Sequence, residues 1–241
     1  MGATLFSDFG DSIASCRTPD DVGDLYHREV ARHGYTSSAC RAFVPSAAGA
    51  RSSVLLFRNW TPEWAQLSDQ KGFSANSFVI TDARRRMSPF TWRDVPKARA
   101  LSAGEREVWN AVLAWGWNNG FVLPVHGPGG YFATVSMASP ERDLDLGPNN
   151  RLRLQMIATL AHERCRVLAN LAAAGSPPAT MSARELECLR WVAAGKTDWE
   201  IGMILSISAA TVKFHVNGAR AKLGARTRAQ AVARLVLSGL Y

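Results

Sequence analysis

The stretch from Ser182 to Leu223 constrains this chain most, because its polar and apolar residues leave room for few arrangements other than three short, closely spaced helices. Ser182-Ala183-Arg184-Glu185 has the form of a capping box, with serine at the cap and glutamate three residues on, and it opens a helix whose apolar side carries Leu186, Leu189, Trp191 and Val192. Gly195 ends that helix. A second runs from about Asp198, itself a cap candidate, through Ile201, Ile204 and Leu205. The turn Ser206-Ile207-Ser208 then leads into a third helix beginning near Ala209. There Val212, Val216, Ala219 and Leu223 recur every three to four residues and face the core, which turns Lys213, Phe214, Asn217 and Arg220 outward.

Charge follows the same pattern. From Met181 to Tyr241 nine Lys and Arg face four Asp and Glu, so this quarter of the chain carries +5 of the formal net charge of +8. A basic surface with a helix-turn-helix points to a polyanionic partner, double-stranded DNA. Lys213 has the chemistry to read guanine and Asn217 adenine, one turn apart on the outward face, with Phe214 exposed between them. Thr211, Arg220, Lys222, Arg226 and Arg228 suit phosphate contacts, which set register without reading sequence. For any one of these residues, the solvated face of an ordinary helical bundle is the competing reading. Capped helix, short turn, third helix and local basicity together favour DNA binding.

Upstream, small residues and the Pro177-Pro178 pair in Ala172 to Thr180 cannot continue a helix. We place a linker at 173–180, a first domain at 1–172 and a second at 181–241. In the first domain, Thr18-Pro19-Asp20-Asp21 reads as a helix start and His33-Gly34 as its end. Ser38 to Val44 and Ser53 to Phe57 read as strands, and Thr61 to Asp69 and Ser102 to Trp115 as helices. Phe121 to His126 and Phe132 to Ala138 form a hairpin around Gly127-Pro128-Gly129-Gly130. A long helix from Asn149 to Ala174 has a broad apolar face, wide enough for a sheet and a second subunit. The expected fold is α/β in the α+β sense: an α/β/α sandwich on an antiparallel sheet, followed by a small all-α helix-turn-helix domain.

The first domain is rich in aromatics that could enclose an apolar ligand, although at helical and strand spacing most of them read as core. Cys16, Cys40, Cys165 and Cys188 are far apart and form no CxxC pair, so no metal site or disulfide framework is expected and buried free thiols are. The absence of a long apolar run or a signal-like start places the protein in the cytoplasm, away from any membrane.

Residues 181–241, above all Glu185, Leu189, Gly195, Thr197, Glu200-Ile201, Thr211-Val212-Lys213, His215 and Lys222-Leu223, resemble the LuxR-type helix-turn-helix domain, a four-helix module. Asn59, Pro62, Trp64, Pro89-Phe90, Trp92, Gly120, Pro124, His126-Gly127, Gly130 and Ser136 make the first domain similar to the autoinducer-binding domain of quorum-sensing LuxR-type regulators. The resemblance implies a transcriptional regulator that binds an N-acyl homoserine lactone, acts as a homodimer on promoter DNA and works with RNA polymerase. It requires no cofactor. It implies that Trp64 covers the ligand, that the Trp92 indole N–H donates to the lactone carbonyl, that Ser136 helps bind the amide carbonyl, and that Trp60 replaces a tyrosine common in the family. Two positions depart from the pattern. Ser77 stands where the family has an aspartate that accepts the ligand amide N–H, with Phe78 at the following proline, and Ser68 stands at a pocket tyrosine. A neutral hydroxyl makes a weaker bond than a carboxylate, and small Ser68 leaves space beside the added ring of Phe78, so an aryl, branched or altogether different ligand stands beside a standard N-acyl homoserine lactone.

Three other functions compete. Catalysis lacks a P-loop, GxSxG, HExxH or dinucleotide glycine pattern, and His162-Glu163 reads as a surface or interface pair. A phosphorylated receiver would need an early acidic pair and regular strand-helix alternation. The third is a solo LuxR-type regulator that answers a non-lactone ligand or acts with none.

Overall fold

The computed structural model describes residues 2–45, 51–171 and 181–237. Two compact units emerge, one built from the chain up to His126 with Phe132–Leu171, the other from Gly127–Tyr131 with the chain from Ala172 onward. The linker expected at 173–180 lies outside the described residues.

The first unit is built on one antiparallel sheet. Its strands are β1 (Ser37–Pro45), β2 (Arg51–Arg58), β3 (Phe90–Thr91), β4 (Asn119–His126) and β5 (Phe132–Ser139), in the order β2-β1-β5-β4-β3. Register decides which residues share a face. Arg41 is opposite Thr134, Ala39 opposite Ser136, Ser136 opposite Val122 and Val122 opposite Phe90, so these project together from one side. Cys40, Ala42, Phe121, Val135 and Met137 alternate with them and are buried on the other side.

Three helices, α1 (Gly2–Ser15), α2 (Pro19–Ala31) and α7 (Pro148–Leu168), pack together, and α2 and α7 lie against the sheet. Thr18 starts α2 with a reciprocal capping box: its hydroxyl accepts from Asp21 N at 3.1 Å while the Asp21 carboxylate accepts from Thr18 N at 2.8 Å. Gly23 lets α2 approach β2, since a Cβ there would lie 2.7 Å from Phe57 Cβ. The long helix α7 buries Leu154, Ile157, Ala158, Ala161 and Cys165 and stops at Leu168, short of the expected Ala174, where Asn170 adopts a left-handed φ of 53°. His162, read as part of a surface or interface pair, is fully buried within that helix, while Glu163 is half-exposed.

On the opposite face lie α3 (Pro62–Gln70), α4 (Phe78–Ala83), α5 (Asp94–Ala98) and α6 (Ala103–Ala114). Trp64, Phe78, Val95, Val108 and Val112 from these helices pack with Phe90, Val122 and Phe132 of the sheet in one buried cluster. The result is the α/β/α sandwich. Helices α1, α4 and α5 and the two-residue β3 escaped the sequence reading; the last three are short, of two to six residues.

The second unit comprises α8 (Ala183–Ala193), α9 (Asp198–Leu205), α10 (Ala209–Lys222) and α11 (Arg228–Leu237). Ser182 and Glu185 form their capping box. The cap of α9 is Thr197, paired with Glu200, and Asp198 is its first helical residue. A Cβ at Gly202 would stand 2.7 Å from the Ile207 carbonyl oxygen, and Ser206 turns the chain with φ 55°, so α9 and α10 meet through a tight backbone crossing. Leu189, Ile201, Val212 and Leu235 are fully buried at the centre of this unit, each side chain contributing about 1.5–3 kcal/mol. Leu186 and Trp191 pack at its edge, only partly covered.

Candidate functional site

In the first unit a cavity of about 110 Å³ lies between the sheet and α3, α4 and α6. One water needs roughly 10–15 Å³, so the space is of ligand scale. The structure brings all seven sequence-selected residues, Trp60, Trp64, Ser68, Ser77, Phe78, Trp92 and Ser136, to its wall.

Trp92 lies against Gly120, where an added Cβ would overlap the indole, and its backbone N–H donates to Gly120 O at 3.0 Å. The Phe78 ring meets it edge-on, with centroids 5.8 Å apart. The Trp92 indole Nε1 is buried with no hydrogen-bond partner among the described residues. An orphaned buried donor costs about 1–3 kcal/mol, and a ligand acceptor would remove that cost. Trp64 is held by Trp117, Trp115 and Phe73, with ring centroids 4.7, 5.3 and 5.9 Å away. Most of the remaining aromatics therefore serve packing.

Ser77 is the N-cap of α4, its hydroxyl accepting from Ile80 N at 3.3 Å. Ser68 is buried, without a side-chain partner among the described residues. The Ser136 hydroxyl donates to Ala39 O across a long 3.4 Å. Sequence reasoning missed Arg41, Thr134 and Ser37, which also line the cavity. The available signal was alternation along β1: Ala39, Arg41 and Phe43 share a face, and an arginine between two apolar inward positions marks a polar requirement.

A charged cluster stiffens the cavity wall from behind. Arg99 donates to both oxygens of Glu105, at 2.8 and 2.6 Å, and to Asp82 at 2.8 Å, while Arg86 reaches Asp82 at 3.3 Å. Asp82 belongs to α4 and Glu105 to α6, so one guanidinium ties together the two helices that supply Phe78 and Val108. Hydrogen bonds from Arg99, and then from Ser102, lower the Glu105 carboxyl from 4.5 to about 2 against the opposing effect of burial.

In the second unit, α10 presents Lys213, Phe214 and Asn217 to solvent, with Phe214 74% exposed. Thr211 is half-buried, its hydroxyl 2.7 Å from that of Ser208. Arg220 donates to Asn217 Oδ1 at 2.9 Å and to Arg226 O at 2.6 Å, which orients the Asn217 amide. Two of the expected phosphate contacts are held in salt bridges inside the domain. Lys222 pairs with Glu185 at 2.8 Å, and Arg228 bonds Asp198 and Lys196 O at 2.5 and 2.7 Å. Local salt bridges compete for both cations, whereas the Arg226 side chain is exposed.

Among the described residues, no group of three His, Cys, Asp or Glu could hold a metal ion, and all four cysteines are buried and unpaired. No helix among them is long and apolar enough to cross a membrane.

Two family models account for nearly all of the chain. The autoinducer binding domain matches residues 18–165, and the bacterial regulatory proteins of the luxR family match residues 179–235. This protein belongs to the LuxR family of transcriptional regulators. Relatives agree. The chain is 33% identical to the HTH-type quorum sensing-dependent transcriptional regulator RpaR of Rhodopseudomonas palustris over 97% of this chain and 93% of that one. It is 31% identical to the transcriptional activator VanR of Vibrio anguillarum over 78% of each. The crystal structure of Escherichia coli SdiA shares the fold, with a TM-score of 0.73 at 22% identity over 98% of both chains. The chain is thus a LuxR-type regulator with an autoinducer-binding domain and a DNA-binding helix-turn-helix domain.

Proposed function

We propose that this LuxR-family regulator takes an N-acyl homoserine lactone with an aryl or branched acyl group into the first-unit cavity and then binds promoter DNA as a homodimer. The observation that carries the reading is the buried Trp92 Nε1, without a hydrogen-bond partner among the described residues, at the wall of a cavity lined by aromatic side chains and several hydroxyls. A lactone carbonyl is the acceptor it lacks. Ser77 and Ser68 offer hydroxyls where the family has a carboxylate and a phenol, which weakens the grip on the amide and leaves room beside the acyl group.

Dimerisation is supported by α7, where Leu152, Met156 and Leu160 are exposed in a row at i, i+4 and i+8. On the DNA side, Lys213 and Asn217 are the base readers, with Phe214 beside them and Thr211, Arg220 and Arg226 on the backbone. Lys222 and Arg228 hold the domain together. Regulation then proceeds at a promoter through RNA polymerase in the cytoplasm.

The test is thermal unfolding of the full chain with straight-chain, branched and aryl homoserine lactones. A specific ligand at a hundred times its dissociation constant adds about 2.7 kcal/mol. That corresponds to roughly 5–10 °C for a chain of this size. A shift confined to aryl or branched lactones supports the proposal, and equal or larger shifts with straight chains remove the atypical ligand. No shift with any lactone removes lactone sensing.

A further inference from the structure

Arg41 is half-buried at the cavity wall, and its partners fall short of what a buried guanidinium requires. Its hydrogen bond is to a neutral hydroxyl, Nη1 to Ser53 Oγ at 3.3 Å, and among the described residues it forms no ion pair. The β1–β2 connection at residues 46–50, Ser-Ala-Ala-Gly-Ala, contains no acid that could supply one. Burial lowers the Arg41 pKa from its ordinary value, with the more distant Asp69 acting in the opposite sense. Directly opposite Arg41 on the same face is Thr134, 4% exposed, whose hydroxyl also has no protein partner among the described residues. The Arg41 guanidinium and the Thr134 hydroxyl, both on residues that line the cavity, thus have one weak protein contact between them among the described residues.

Position in the sheet shows which part of a ligand they meet. Trp92 follows β3, and β1 stands three strands away, which at the usual strand spacing is about 14 Å. A carbonyl held by Trp92 therefore leaves Arg41 and Thr134 to the far end of the acyl group.

We propose that Arg41, with Thr134 beside it, selects homoserine lactones whose acyl group carries an oxygen acceptor at its far end, such as a phenolic hydroxyl or a carboxylate. This deepens the lactone reading and rests on it. The guanidinium donates to the ligand oxygen, and Thr134 donates or accepts according to whether that oxygen carries a proton. An acyl group ending in a methyl or an unsubstituted ring offers neither group a partner, leaving Arg41 with its long bond to Ser53.

The experiment titrates the full chain with two matched pairs of homoserine lactones: 4-hydroxyphenylalkanoyl against phenylalkanoyl, and ω-carboxyalkanoyl against the methyl-terminated alkanoyl of equal length. The expected result is that the oxygen-bearing member of at least one pair binds about tenfold to a hundredfold more tightly, the worth of a hydrogen bond to a charged group. Whichever pair shows the preference distinguishes phenol from carboxylate. In Arg41→Met the preference disappears, and in Arg41→Lys, which keeps the charge but loses the fork, it is partly retained. If lactones bind without regard to the oxygen, or the preference survives in Arg41→Met, the selection role of Arg41 is wrong and the lactone cavity stands. If Arg41→Met does not fold, the wild-type pairs and Arg41→Lys decide. If no lactone of either pair binds, the reading of the cavity fails, and this inference with it.

Discussion

Trp92 and Gly120 are in direct contact, the indole occupying the space where any side chain on Gly120 would begin. Gly120 is buried in β4, and its carbonyl also accepts the Trp92 backbone N–H at 3.0 Å. A single glycine therefore sets both the height of the ring over the sheet and the direction of its unpartnered N–H.

Gly120→Ala should displace the ring, because the overlap is with the rigid body of the indole and not with a flexible side-chain end. Overpacking of this kind costs about 1–3 kcal/mol. Thermal unfolding should show that loss, and near-UV circular dichroism should show a changed tryptophan environment. Ligand response should disappear even at temperatures where the variant is folded.

Trp92→Phe separates binding from stability. The smaller ring loses packing, but the orphaned donor goes with it, so the unliganded chain should stay within about 1 kcal/mol of wild type. Affinity for the lactone that stabilises the wild type should fall about tenfold or more. A large loss of unliganded stability with unchanged affinity would show that the indole N–H does not meet the ligand.

The Arg99 cluster predicts an acid-sensitive cavity. Glu105 titrates at about 2 when folded, against an ordinary 4.5. Its depressed value means that its contribution is fully present above pH 4.5 and is lost as pH falls from there towards 2. Glu105→Gln should flatten stability against pH in that window. Arg99→Met, which removes the paired guanidinium from buried Glu105 and leaves Asp82 with Arg86 alone, should cost about 3 kcal/mol at neutral pH and less as the pH falls and Glu105 protonates.

On the DNA face, Lys213→Ala should relax base preference by about 1–3 kcal/mol at one position, whereas Arg226→Ala should weaken all sequences alike and reduce the salt slope by about 1. Arg228→Ala should act differently from both, lowering the melting temperature of the C-terminal unit because it removes the bonds to Asp198 and Lys196. Binding isotherms at several salt concentrations, with a melting curve for each variant, distinguish the three.

Local chemistry determined much of this protein from sequence alone. Caps and short-range periodicity placed α2, α6, α8 and α10, because Thr18, Ser102, Ser182 and the Val212-Val216-Ala219-Leu223 row act within a few residues of themselves. The hairpin of β4 and β5 was legible for the same reason, in its turn residues. The seven cavity residues came from family resemblance, and their meeting at one wall depends on contacts between distant segments. Only tertiary structure decided that Arg41 would stand opposite Thr134, since strand register is fixed between residues ninety positions apart. It also decided that Lys222 and Arg228, basic like their neighbours, would be taken by Glu185 and Asp198 from other helices. A sequence states which groups can pair, but burial and distance choose among the partners, and both are properties of the folded chain.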